Sequence, residues 1–135
     1  MTVFDSSMSA VPGDLAAAVR AVPGLKLLVL HGSRARGTSH DRSDWDFAYI
    51  GEDAFDPDAL LATLTEAIGT DAVDLADLSD SSALLRFRVA RDGSVVHEAA
   101  PGTFDAFRLN AIHTWCDMEP VLTPLYDKVL EDLKR

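Results

Sequence analysis

Hydrophobic and polar positions along the chain alternate between helix-like and strand-like spacing. Leu15, Val19 and Val22 share one face of a helix that Asp14 can cap and Pro23-Gly24 would end. Lys26–His31 (KLLVLH) is a short apolar run, the pattern of a buried strand, and polar, glycine-bearing 32–43 reads as a turn and then a loop. Asp44–Ile50 (DWDFAYI) alternates strictly. Asp44, Asp46 and Ala48 point one way, and Trp45, Phe47 and Tyr49 point the other, toward a core. Asp56-Pro57 opens a second helix, with Leu60, Leu61, Leu64 and Ile68 inward and Gly69 at its end. Ala72–Leu78 is a third strand, in which Ala72, Asp74 and Ala76 oppose Val73 and Leu75. Ser79 or Asp80 is the predicted cap of a helix through Leu84, Leu85 and Val89, closed by Asp92-Gly93, and Ser94–His97 is a fourth, short strand. From Phe104 the period is helical again, with Phe104, Phe107, Ala111 and Trp115 as one stripe. Pro120 and Pro124 are predicted to kink or break this helix before a last amphipathic stretch of Leu122, Leu125, Val129 and Leu133. The expected product is one α/β domain over residues 1–135, with a core over about 25–103 and a helical segment over 104–135.

Composition narrows the classes. Hydrophobic residues are 47% of the chain and charged residues 25%, a globular balance that excludes disorder, collagen-like repeats and a coiled coil. The apolar run Leu27–Leu30 is far too short to cross a bilayer, and Asp5 stands where a secretory signal needs a basic start, so no membrane role is expected. The single Cys116 excludes an internal disulfide framework and a cysteine-built zinc site, and points to a reducing cytoplasm. Twelve basic against 22 acidic residues leave a net charge of −10, which opposes direct binding of nucleic acid over a broad surface. A basic protein partner, or a phosphate-bearing ligand bridged by cations, suits that charge.

Three features carry candidate chemistry. Gly32-Ser33 follows directly on an apolar strand, ten residues then precede the pair Asp44 and Asp46, and Asp74 lies in a later strand between alanines. Residues i and i+2 of a strand project side by side, so two carboxylates converge, and like charges that close favour a neutralising cation. An all-oxygen donor set suits Mg²⁺, which takes one or two carboxylates and fills its shell with water and substrate phosphates. Asp74 would make three carboxylates, enough for two Mg²⁺ ions. Such a pair clamps the attacking and leaving oxygens of an in-line displacement. Ala48, Ala72 and Ala76 are expected to leave room for a ligand over the sheet. Gly32 permits close backbone approach to a phosphate, Ser33 adds a hydroxyl donor, and Arg34 and Arg36 stand beside the turn. Together these outline a phosphoryl or nucleotidyl transfer site. Singly, each is commonplace: glycine and serine are ordinary turn residues, and acidic residues abound in this chain.

The segment 32–46, GSRARGTSHDRSDWD, resembles the signature of the DNA polymerase β-like nucleotidyltransferase superfamily. There a hydrophobic strand leads to Gly-Ser, a spacer of similar length and Asp-x-Asp. The wording GSRARG is most similar to the minimal nucleotidyltransferase (MNT) branch, many members of which are antitoxins paired with HEPN-domain ribonuclease toxins. The 72–78 strand resembles the family's third-aspartate strand, 84–98 its next helix, turn and strand, and 108–117, loosely, its C-terminal helix. Coverage is about 25–120. His31 and Trp45 depart from the family's usual apolar and aliphatic residues. The resemblance implies a small α+β fold with a mixed sheet of about four strands flanked by helices. It also implies transfer of AMP from ATP, with Mg²⁺ held by Asp44, Asp46 and Asp74. By the same match, Asp74 would help deprotonate the attacking hydroxyl, and Gly32, Ser33 and, more weakly, Arg36 would hold the triphosphate. The implied acceptor is a tyrosine hydroxyl of a cognate HEPN toxin.

Two other readings stand beside this one. The domain could neutralise its toxin by stoichiometric binding alone, or transfer a nucleotide to a small molecule. His31, His40, His97 and His113 show no metal-ligand spacing and read as structural or exposed, Cys116 as a core thiol, and Tyr49 and Tyr126 as packing residues. Asp71, Asp77 and Asp80 read as solvated charges.

Overall fold

A computed structural model describes residues 13–32 and 44–134. Nine elements follow in order: helix α1 (Gly13–Val19), strands β1 (Leu25–His31) and β2 (Trp45–Gly51), helix α2 (Pro57–Ile68), strand β3 (Val73–Asp77), a 3₁₀ turn (Leu78–Asp80), helix α3 (Ala83–Asp92), strand β4 (Ser94–Glu98) and helix α4 (Thr103–Lys134). The four strands form one mixed sheet in the order β3-β2-β1-β4. β1 pairs antiparallel with both β2 and β4, and β2 pairs parallel with β3. A parallel neighbour requires a crossover, and α2 supplies it.

Strand β1 explains why the sheet is covered on both faces. Its run Leu27–Leu30 is fully buried, because alternate side chains enter two different cores. Leu28 and Leu30 join Phe47, Tyr49 and Val96 beneath α1 and α2, which contribute Leu15, Val19, Leu60 and Leu64. Leu27 and Val29 join Ala48 beneath α3 and α4, which contribute Val89, Ala90, Phe107 and Ala111. The helices begin and end where local chemistry directs. The Asp56 side chain accepts from the Asp58 amide at 3.0 Å with Pro57 at the first helical position, and Gly69 closes α2 in the left-handed conformation.

Several sequence expectations are corrected. Asp14 lies in the first turn of α1 rather than at its cap. Ser82, whose hydroxyl accepts from the Leu85 amide at 3.1 Å, caps α3. Asp77 caps the 3₁₀ turn instead, which inserts before the helix and displaces its start. α4 runs unbroken through Pro120 and Pro124, each proline removing one backbone hydrogen bond from a helix long enough to continue on either side. Cys116 is exposed rather than buried in the core. The last apolar stretch and Tyr126 lie outside the residues whose side chains are described.

The small residues of the second face have a different use from the expected ligand space. Ala48 is fully buried, and Ala76 packs against the same cluster. They admit Phe107, Val89 and Leu78 close to the sheet. Ala48→Leu should therefore lower unfolding stability by about 1–3 kcal/mol through overpacking. A urea titration would show this, and unchanged stability would mean open space over Ala48.

Candidate functional site

The end of the β1-β2-β3 surface that faces α3 and α4 carries a polar row. His31 is the cross-strand partner of Asp46, and Asp46 is the parallel partner of Asp74. The adjacent row on the same face is Val29, Ala48 and Ala76, and it is packed in the second core. One pleat therefore separates packed core from a half-buried histidine, a half-buried aspartate and an exposed aspartate. Asp44 precedes β2 and is also exposed. Trp45 points to the opposite face, where its ring stacks with Phe47 at 6.3 Å between centroids and packs against the first core. The aromatic residue between the two aspartates thus packs, partly buried, at the margin of the first core.

Burial raises the Asp46 carboxyl pKa from its ordinary value. His31 opposes that rise, while the charges of Asp74 and Asp44 and a side-chain hydrogen bond with Asp74 add to it. Asp44 and Asp74 are therefore both within electrostatic reach of Asp46. Among the described residues, no three His, Cys, Asp or Glu side chains stand in a metal-holding arrangement. The Asp46–Asp74 pair still fits a Mg²⁺ ion chemically: it is all-oxygen, its like charges are close, and such ions take one or two carboxylates and complete their shell elsewhere.

Gly32 follows β1 directly, and its role here is to make room for Asp46. Its φ is +76°, and a Cβ built on it would collide with Asp46 Oδ2 and lie 3.2 Å from Asp46 Cγ. Both backbone and space exclude a side chain. Ser33, Arg34 and Arg36 lie outside the described residues.

A cleft of about 510 Å³ opens on this row. Its floor is His31, Gly32 and Asp46, and its wall is Leu85, Arg88, Arg91 and Asp92 of α3. His31 and the α3 arginines are the members sequence reasoning missed. The available signal was the basic character of 86–91 (RFRVAR) within an acidic chain.

The polymerase β nucleotidyltransferase family model ("Polymerase beta, Nucleotidyltransferase") matches residues 15–101. The chain belongs to this family. A protein adenylyltransferase MntA of Aphanizomenon flos-aquae is 36% identical over 100 residues, 64% of this chain and 66% of that protein. The chain thus spans just under two thirds of the length of that relative. A crystal structure of a toxin–antitoxin with AMP-PNP contains a chain similar at 27% identity and a TM-score of 0.71, covering 87% of this chain and 96% of that one. A tri-AMPylated Shewanella oneidensis HEPN toxin in complex with MNT antitoxin gives a TM-score of 0.65 at 23% identity, over 96% of this chain and 99% of that one, a likeness of fold. The mixed four-stranded sheet flanked by helices is the fold these matches share.

Gly32→Ala should destabilise the fold by about 1–2 kcal/mol, because the left-handed backbone becomes strained and Asp46 is displaced. Chemical denaturation reads this, and wild-type stability would show that the close approach does not constrain the site. Asp46 gives a second expectation, with a definite sign. Its folded-state pKa is raised, so its favourable contribution is present below the unfolded value and is lost as pH rises through the elevated one. Metal-free Asp46→Asn, which cannot ionise, should melt at or above the wild type near neutral pH, with the difference shrinking in acid. A lower melting temperature at neutral pH would contradict the raised pKa.

Proposed function

We propose that this protein is an antitoxin nucleotidyltransferase that transfers AMP from ATP to a hydroxyl, a tyrosine in our reading, of a cognate HEPN ribonuclease toxin. The observation that carries the reading is the pairing of Asp74 in register with Asp46, which sits beside Gly32 on the floor of the cleft. Family membership and the similarity to a protein adenylyltransferase and to toxin–antitoxin chains support it. Asp44, Asp46 and Asp74 would hold two Mg²⁺ ions, which when bound offset charge on the phosphates and on the attacking oxygen. Gly32, Ser33 and Arg36 would hold the triphosphate. Asp74 takes the proton of the acceptor hydroxyl as its oxygen attacks the α-phosphorus. The new bond is oxygen to α-phosphorus, the bond from α-phosphorus to the bridging oxygen breaks, and pyrophosphate leaves. The lone cysteine makes the cytoplasm the compartment of this reading.

The test uses the protein with its co-expressed neighbour, Mg²⁺ and ATP labelled at the α or the γ phosphate. Label should reach the partner only from α-labelled ATP. Asp44→Ala and Asp46→Ala should each reduce transfer by roughly a hundredfold or more while the fold survives. Full transfer in either variant sinks the proposal. Toxin neutralisation that persists without label in the double variant would mean that stoichiometric binding does the work, and label passing to a small molecule instead would move the acceptor class.

A further inference from the structure

We propose that Arg88 is a nucleotide-binding residue, its guanidinium engaging the polyphosphate from the α3 side of the cleft. This rests on the nucleotidyltransferase reading above and adds a residue to its site. A polyphosphate entering this cleft meets adverse charge. The chain carries −10 overall, and Asp46, with Asp44 and Asp74 near it, occupies the floor side. Cations on the opposite wall would add to the offset that Mg²⁺ at the aspartates supplies.

Among the described lining residues those cations are Arg88 and Arg91, and they differ in commitment. Arg91 is spent on its own helix. Its Nε lies 3.0 Å and its Nη2 2.8 Å from the two carboxylate oxygens of Asp92, and its guanidinium sits 5.6 Å from the Phe87 ring centroid. Arg86, two positions before Arg88, is equally engaged. It donates to the Leu78 carbonyl and, at 3.0 Å, to Asn110 Oδ1, and covers the Phe107 ring at 5.0 Å, which ties α3 to α4. Arg88 is exposed and makes no hydrogen bond or ion pair among the described residues. Leu85, Arg88 and Arg91–Asp92 recur at helical spacing along one stripe of α3. Leu85 packs against the second core, so the stripe is anchored and Arg88 rides above it at the cleft. An arginine whose planar fork is uncommitted among the described residues, lining the same cleft as Asp46, is a donor set matched to phosphate oxygens.

Calorimetry of AMP-PNP binding with Mg²⁺, together with KM and kcat for ATP, tests this. Arg88→Ala should weaken AMP-PNP binding by roughly tenfold or more and raise KM for ATP. Arg88→Lys should recover part of the loss, since it keeps charge without the fork. Arg20→Ala, in the turn just after α1, removes the same charge elsewhere and should leave binding unchanged. Arg88→Ala binding within about twofold of wild type overturns the proposal, as does an equal loss in Arg20→Ala, which would make the effect one of overall charge. Wild-type protein that binds AMP-PNP in an Arg88-dependent way yet transfers no AMP would remove the transfer reading and leave the Arg88 assignment standing. Wild-type protein that does not bind AMP-PNP removes both.

Discussion

The parallel pairing of β2 with β3 is the constraint on which the site depends. Asp46 and Asp74 are separated by the whole of α2, yet the pairing sets them opposite one another. A shift of one residue in that register would turn Asp74 away and bring Val73 or Leu75 to its place. Register is fixed by burial on both faces: Phe47 belongs to one core and Ala48 to the other, so neither can be displaced without exposing apolar surface or overfilling a packed layer. The core thereby sets the geometry of carboxylates that contribute little to holding it together.

The cost of that geometry is local and electrostatic. Asp46 is partly buried beside like charges, and burial together with those charges raises its pKa, so the ligand-free protein holds the cluster against repulsion. His31, the antiparallel partner on the other side, works in the opposite direction. Gly32 completes the arrangement by omission, since the volume a side chain would fill is taken by the Asp46 carboxylate. A cation introduced at such a site finds acids already brought together.

Much of this was readable from the chain, for reasons that differ by element. The alternation of Asp44–Ile50 assigned Phe47 and Tyr49 to one face and Asp46 to the other, because a strand has a period of two whatever its neighbours. Asp56-Pro57 and Gly69 marked the ends of α2 through local chemistry alone. The start of α3 was misplaced because Asp77, Ser79, Asp80 and Ser82 all have cap-forming side chains, and only the strand's exit into a 3₁₀ turn selects among them. Ala48 and Ala76 read as ligand space in the sequence because small residues fit equally beneath a ligand or beneath a helix, and the sequence does not say what lies above a sheet. Arg88 and His31 were overlooked for a related reason. Neither belongs to a spacing motif, and each joins the cleft through tertiary placement alone.

The division of labour within α3 follows from its position at the border between core and cleft. Val89 and Ala90 enter the second core, and Arg86 reaches across to α4 and back to Leu78. The same helix, a few residues round, faces the aspartate row with Arg88 and the Arg91–Asp92 pair. Three arginines of one helix thus stand in three electrostatic states: bound to carbonyl and amide oxygens, bound to a neighbouring carboxylate, and uncommitted among the described residues. Solvent can satisfy an uncommitted exposed arginine, so its place in the structure is not enforced by folding. Arg88 is thus available to whatever enters the cleft. The geometry of the acids is imposed by the core, whereas the counter-charge opposite them is free to answer to the ligand.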